Sequence, residues 1–501
     1  MGPMPPSLKD HGMSASQDTR MTSGSLPARI FSGSMWSVLA EVSVGGVRAL
    51  SYLVYARLLS PTDFGMIGLC TLLTSLFPLL IDSSLAMAVA RLDRDDQRAL
   101  SVIFILNVGL SILAALALCV CAGLAADLVH DQRVAFLLPI LSIQLLFNSL
   151  CSTHIALARR QFRYRRLMPV RLISMLCSLA IGLPLAFLGY TYWSLVVGTL
   201  VAALSQMAAA WILLPWRPSF EFDKTIARGV LNFTSWVAVD MGVTWLVISG
   251  GGFFLAFFLG AHDLGLFRLS DQIDTYLLGA VLSPLIPVFY NAFCEISNAR
   301  EAWSRLFIRS TRAVAIVAIA VTGGIVILGN PLESMIGARW RGIGEIIVLN
   351  AIADGLSYTT LLTPSLMRAQ GRAKTVAAMR MLMIAGQVAV YSLVVPFGLR
   401  AFVLGKLGLE IAMYVLSYSV LRVTFSLPVL RLIRGQIFPA LVLAAGTLAG
   451  LEVASKAASL GGATSLALGW MTFGILIGCY LIVDRRPMLR LAEQLNHLRS
   501  R

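Results

Sequence analysis

The sequence is short of charge. Of its 501 residues only 13% are Asp, Glu, Lys or Arg, against 57% hydrophobic, and the mean hydropathy is +0.80. A water-soluble chain carries about 25% charged residues, so the composition excludes a soluble enzyme or a soluble nucleic-acid binder. Cysteine is also scarce. Cys70, Cys119, Cys121, Cys151, Cys177, Cys294 and Cys479 stand mostly inside apolar runs and form no CxxC pair, which argues against a disulfide framework or a zinc site. Catalytic signatures are missing too: there is no GxSxG, no HExxH, no Walker loop and no Asp-rich metal motif. The longest connector expected on the outer side, Asn330 to Arg341, is too short for the Arg- and His-bearing loop of a membrane glycan polymerase. The sequence therefore implies no catalytic residue, no metal and no cofactor, and it is not read as an enzyme.

What is present is apolar sequence in long runs. From Phe31 onward, about fourteen stretches are each long enough to cross ~30 Å of hydrocarbon, and lipid allows such segments to be helices only. The expected fold is thus an all-α integral membrane protein of about fourteen transmembrane helices. The formal charge of +15 sits between the runs. With alternate connectors assigned to alternate sides, most of the 40 Lys and Arg fall on the side of the termini, including the cluster Arg159, Arg160, Arg163, Arg165 and Arg166. The positive-inside rule then places both termini in the cytoplasm.

An internal duplication is legible. Leu59-Ser-Pro-Thr-Asp63-Phe-Gly65 and Leu259-Gly-Ala-His-Asp263-Leu-Gly265 share Leu, Asp and Gly at an offset of two hundred residues. Six helices per half would insert both halves in one orientation, the arrangement of parallel-repeat transporters. The expected organisation is a flexible cytoplasmic tail (1–28), a first six-helix bundle (29–228), a second (229–430), two additional transmembrane helices (431–484) and a basic cytoplasmic tail (485–501). Pro78, Pro284, Pro287 and Pro364 fall inside apolar runs, where proline bends helices. Gly446/Gly450 and Gly474/Gly478 form GxxxG pairs on the last two helices, expected to let those helices pack closely.

A charge at the bilayer centre costs roughly 2.5–3.5 kcal/mol on insertion scales, so each embedded one is a candidate. Arg48, Arg268 and Arg380 are the expected substrate-binding cations, attracting an anionic group. Glu41, Asp82, Asp240, Asp271 and Asp274 are the expected cavity carboxylates or ion-coupling groups, with Asp354 and Glu410 also inside apolar runs. Pairing between helices is the plainer role for any one of them. His154 is expected to pack between helices, and the basic run from Arg159 to Arg166 either to hold lipid phosphate or to serve as an ordinary cytoplasmic anchor.

The stretch Ala56-Arg-Leu-Leu-Ser-Pro-Thr-Asp-Phe-Gly65 resembles the first external turn of bacterial polysaccharide flippases, the Wzx-type and exopolysaccharide members of the multidrug/oligosaccharidyl-lipid/polysaccharide exporter superfamily. Ile81-Asp-Ser-Ser-Leu85, Arg160-Gln-Phe-Arg-Tyr-Arg165, Tyr192-Trp-Ser-Leu195, Pro215-Trp-Arg-Pro218, Phe258-Leu-Gly-Ala261, Leu264-Gly-Leu-Phe267 and Gln370-Gly-Arg372 extend the resemblance over roughly residues 30–430. It implies a V-shaped pair of bundles around a central cavity, moving polyprenyl-pyrophosphate-linked oligosaccharides across the inner membrane for exopolysaccharide or lipopolysaccharide synthesis. The implied partners are that substrate, membrane lipids, and polysaccharide polymerase and export machinery, with no nucleic acid. Asp82 matches the usual acidic position of the family. Ile248 and Gly250-Gly-Gly252 stand where members often carry Arg and Asp. A drug/cation antiporter of the same superfamily and a membrane glycan polymerase or transferase are the alternatives.

Overall fold

Apolar residues on every side of a helix leave it no aqueous face, so its neighbours must be other helices and lipid. The computed structural model describes residues 45–91, 96–129, 131–161, 163–219, 221–297, 299–457 and 462–483, and nearly all of them are helical. In chain order the helices are α1 (45–58), α2 (Pro61–Leu80), α3 (Asp82–Arg91), α4 (Gln97–Val129), α5 (Arg133–Arg160), α6 (Tyr164–Phe187), α7 (Thr191–Leu213), α8 (Lys224–Phe258) and α9 (Gly260–Asp274). A π-turn (Thr275–Gly279) leads to α10 (Ala280–Leu282), α11 (Leu285–Glu295), α12 (Arg300–Ile336), α13 (Ile343–Thr359), α14 (Thr363–Ala369), α15 (Ala373–Val394), α16 (Leu399–Phe425), α17 (Val429–Lys456) and α18 (Gly462–Val483).

Eleven helical runs among the described residues are long and apolar enough to cross a membrane, fewer than the sequence predicts. The difference has physical causes. α16 is 27 residues long but carries Arg400, Lys406, Glu410 and Arg422, α1 is described only from residue 45, and the apolar run of α18 is the short Thr464–Gly478. Glu41 and the tails 1–28 and 485–501 lie outside the described residues. α12 carries Asn330 inside the helix, so the connector to α13 is only 337–342, shorter than the expected Asn330 to Arg341.

Three prolines stand at breaks, while Pro287 lies within α11 and Pro139, Pro331 and Pro439 lie inside unbroken helices. Pro78 precedes the turn at Ile81 that separates α2 from α3, Pro284 sits between α10 and α11, and Pro364 opens α14 after the chain leaves α13 at Thr359. Charge pairs close other ends. Asp223 accepts from the Thr225 and Ile226 amides at the start of α8, and these N–H groups, Ile226 foremost, hold its carboxyl below the ordinary range. Asp131, in the α4–α5 turn, takes a bidentate hydrogen bond from Arg133 (3.0 and 2.7 Å), which likewise holds its carboxyl low.

The two halves meet through α2 and α9. Gly65 and Gly265 face one another so closely that a methyl carbon on Gly65 would lie 1.7 Å from the Ala261 carbonyl oxygen, and one on Gly265 would lie 1.8 Å from that of Pro61. The contact is reciprocal, since Pro61 and Ala261 obey the same two-hundred-residue offset as the glycines. Trp340, fully buried beyond α12, reaches into this junction. Its indole N–H donates to the Ala56 carbonyl at 2.6 Å, and its ring meets Phe64 edge-on at 5.2 Å.

α17 and α18 pack together as expected, but not through both glycine pairs. Gly450 lies against the Gly469 carbonyl and Gly469 against that of Gly450, while Gly474 and Gly478 meet nothing within 4 Å. Large apolar side chains such as Val120 and Val423 (both 84% exposed) point outward, as a lipid-facing surface requires.

Candidate functional site

The N-terminal half holds a cationic cleft of about 240 Å³, lined by Arg48 from α1, Ile155 and Arg159 from α5, Leu167, Val170 and Arg171 from α6, and Gln206 from α7. Three guanidinium-bearing residues thus converge on a recess whose described lining holds no carboxylate. A second cavity of about 280 Å³ adjoins it, sharing Ile155, Arg159 and Gln206. Asp82, Ser83, Asn148 and Ser152 face that second space, and the Asp82 Oδ1 is buried without a hydrogen-bond partner. Together the two recesses offer fixed positive charge on one side and amide, hydroxyl and carboxylate groups on the other. Such a surface suits a hydrated anion attached to a polyhydroxylated group.

The structure does not bring the three predicted arginines together. Arg48 is exposed and lines the cleft. Arg268 lies 3.6 Å from Asp271, its side chain pressed against Gly68 and Gly252. Arg380 reaches from α15 to α8, donating to Asp240 at 2.9 Å and to Thr244 at 2.7 Å. Of the three α8 glycines, Gly252 makes room for the Arg268 side chain, while Gly250 lies beside Gln387 and Gly251 beside Phe402 and Tyr391.

The remaining embedded charges form a network in the C-terminal half. Lys406 on α16 lies 2.6 Å from Asp354 and 2.8 Å from the side-chain oxygen Oδ1 of Asn350, both on α13. Asn350 in turn donates to Asp274 of α9 at 2.7 Å. Arg159, Arg171, Gln206, Asn350 and Lys406 were not singled out from the sequence as site residues. Lys406 had a readable signal, a lone cation inside an apolar run. The two arginines did not, because near helix ends they look like ordinary interfacial anchors. His154 is buried among Phe104, Trp211 and Trp216, with ring centroids 4.8–6.4 Å apart, as a packing residue would be.

Comparison with known sequences decides the lineage. A family model described as "Polysaccharide biosynthesis protein" matches residues 54–345, more than half of the chain. The protein belongs to this family. Within the family's range of names, the chain is 22% identical over 322 residues to the succinoglycan biosynthesis transport protein ExoT of Rhizobium meliloti (strain 1021), covering 64% of this chain and 65% of that protein. It thus spans somewhat under two thirds of that relative's length. It is also 22% identical over 414 residues to the lipopolysaccharide biosynthesis protein WzxC of Escherichia coli (strain K12), covering 79% of this chain and 82% of the relative. Among solved structures, the lipid II flippase MurJ in an inward closed conformation superposes with a TM-score of 0.65 at 13% identity, covering 91% of this chain and 98% of that one. The family member described here is therefore a multi-pass helical membrane protein with a transporter fold.

Proposed function

We propose that this protein is a flippase that moves polyprenyl-pyrophosphate-linked oligosaccharide repeat units across the bacterial inner membrane by alternating access, supplying exopolysaccharide or lipopolysaccharide synthesis. The names of its relatives support a role in polysaccharide biosynthesis and transport, and the fold it shares with a lipid II flippase supports the mode of action. The single observation that carries the reading is the cleft of Arg48, Arg159 and Arg171. A pyrophosphate and its glycan cannot cross hydrocarbon unaided, because each unpaired polar group costs several kcal/mol, roughly 4–8 for transfer to an alkane. Guanidinium groups match phosphate oxygens two at a time, while the polyprenyl tail stays in lipid. Arg268 and Arg380 are matched by Asp271 and Asp240, so this reading assigns the anion to Arg48, in the cleft that Arg159 and Arg171 also line, with Asp82 in the adjoining recess facing the sugar.

The finer architecture follows the same reading. α1, α16 and α18 complete the crossings to about fourteen, and two six-helix units, 29–228 and 229–430, rock about the reciprocal Gly65–Gly265 contact. The basic connectors and both termini lie in the cytoplasm. The glycine junction then lies at the outer end of the bundle and closes it. The step is translocation, with no covalent chemistry.

The test is reconstitution in liposomes with a fluorescent polyprenyl-pyrophosphate oligosaccharide. Native protein flips it, and Arg48→Ala slows flipping about 10- to 100-fold, as loss of a charge-assisted contact worth about 1.5–3 kcal/mol requires. Equal rates would remove Arg48 from the site. A native protein that moves organic cations and no lipid-linked glycan would replace the flippase with a drug/cation antiporter.

A further inference from the structure

Lys406 reaches from α16 to two side-chain oxygens of α13, with a carboxyl of α9 bonded behind them. Its Nζ lies 2.6 Å from Asp354 Oδ1 and 2.8 Å from Asn350 Oδ1, with the Phe267 ring centroid 5.6 Å away. Asn350, fully buried, passes the connection on: its Nδ2 donates to Asp274 Oδ2 at 2.7 Å and lies 3.4 Å from Asp354 Oδ2. Asp274 is only 2% exposed, yet its other oxygen, Oδ1, has no hydrogen-bond partner. Asp271 and Glu410 stand within electrostatic reach of the same ammonium. The cluster thus gathers four carboxyl groups around Lys406 and Arg268.

Carboxylate and amide oxygens converging on one point are the donor set of a hard cation. Here the point is filled by an ammonium, which is a compact charge with three donors on a flexible stem. We propose that Lys406 is a tethered substitute for an exchangeable monovalent cation. Its ammonium fills the oxygen site of Asp354 and Asn350, behind which Asp274 holds the Asn350 amide, so the protein binds no Na⁺ there, and removing the ammonium opens a Na⁺ site. An ordinary structural ion pair between α13 and α16 behaves differently, because its loss weakens the fold equally in every salt. The inference deepens the transport reading by saying how its C-terminal half is charged. Cation binding is measured apart from transport, so the failure of one leaves the other standing.

The experiment uses the full-length protein in nanodiscs, unfolded by heat in NaCl, KCl or choline chloride at equal ionic strength, alongside direct binding of radioactive Na⁺. Native protein has the same midpoint in all three salts and binds no Na⁺. In Lys406→Met the midpoint rises saturably with Na⁺ and one ion is bound per chain. The double variant Lys406→Met/Asp354→Asn loses both effects while keeping its fold. A Lys406→Met protein that folds only when Na⁺ is present is the same expected result in a stronger form. Saturable Na⁺ binding by native protein that Asp354→Asn abolishes would overturn the proposal. So would a Lys406→Met protein that responds to pH but to no alkali ion, or that fails to fold in every salt.

Discussion

Arg48, Arg268 and Arg380 carry the same charge and rank alike in the sequence, but their neighbours divide them. A guanidinium already 2.9 Å from a carboxylate, as Arg380 is from Asp240, projects little field toward an incoming anion. One that lines a recess with no carboxylate among its described residues, as Arg48 does, projects more of it. The same reasoning applies outside the membrane at Asp131, whose carboxyl is held low by its hydrogen bonds from Arg133. A carboxyl depressed on folding contributes stability that is present above its unfolded pKa, about 3.9, and is lost as pH falls through the folded value. Asp131→Asn is expected to lower stability at neutral pH by on the order of 0.5 kcal/mol, the scale of a partly exposed pair. The difference from native protein should vanish below the ordinary carboxylate range, and thermal unfolding across pH measures it. Constant separation at all pH values would show that the Asp131–Arg133 pair adds nothing.

At the scale of elements, local chemistry explains where helices start and stop. Ser60-Pro61-Thr62-Asp63 is a capping box: the Asp63 amide donates to Ser60 Oγ, the Ser60 amide donates to Asp63 Oδ2, both at 3.2 Å, and Pro61 fills a position that needs no N–H donor. The repeated Asp263 has no such role, since α9 begins after Leu259 without a side-chain cap. The prolines were readable as breaks because their cause is local, a missing amide and a ring clash. The packing of α17 on α18 was only half readable. Spacing finds the glycines on each helix, but the register of the partner decides which of them touch, and that register paired Gly450 with Gly469. Gly450→Val would drive carbon atoms into the Gly469 carbonyl, 3.0 Å from a bare Cβ, and into Ile327 at 2.7 Å. Overpacking of this kind costs about 1–3 kcal/mol, so the variant should unfold several degrees lower in nanodiscs, whereas Gly474→Ala should leave the midpoint unchanged.

For the whole molecule, the decisive feature is how α2 and α9 cross. Gly65 and Gly265 let two backbones touch, and Trp340 secures the junction by bonding the carbonyl of Ala56. Because the contact is reciprocal, Gly65→Ala and Gly265→Ala should have the same effect. Each disfavours the closed junction by about 1–3 kcal/mol, shifting its equilibrium about 5- to 150-fold. Spin-label distances between the α1–α2 and α8–α9 turns should lengthen in both variants. A change in one variant only would show that the two halves do not move as equivalent units.

By itself, the sequence determined that this chain is a helical membrane protein, where its helices bend, and which charges are costly enough to need a partner. These depend on the hydrocarbon, on proline and on the price of burying charge, all of which act within one segment. Only the tertiary structure decided which charge meets which: Arg48 joined Arg159 and Arg171, Arg268 and Arg380 found carboxylates, and Lys406 closed on Asp354 and Asn350. Residues far apart in the chain became neighbours through helix crossing and register. Those are set by the fit of whole surfaces, which no single segment encodes.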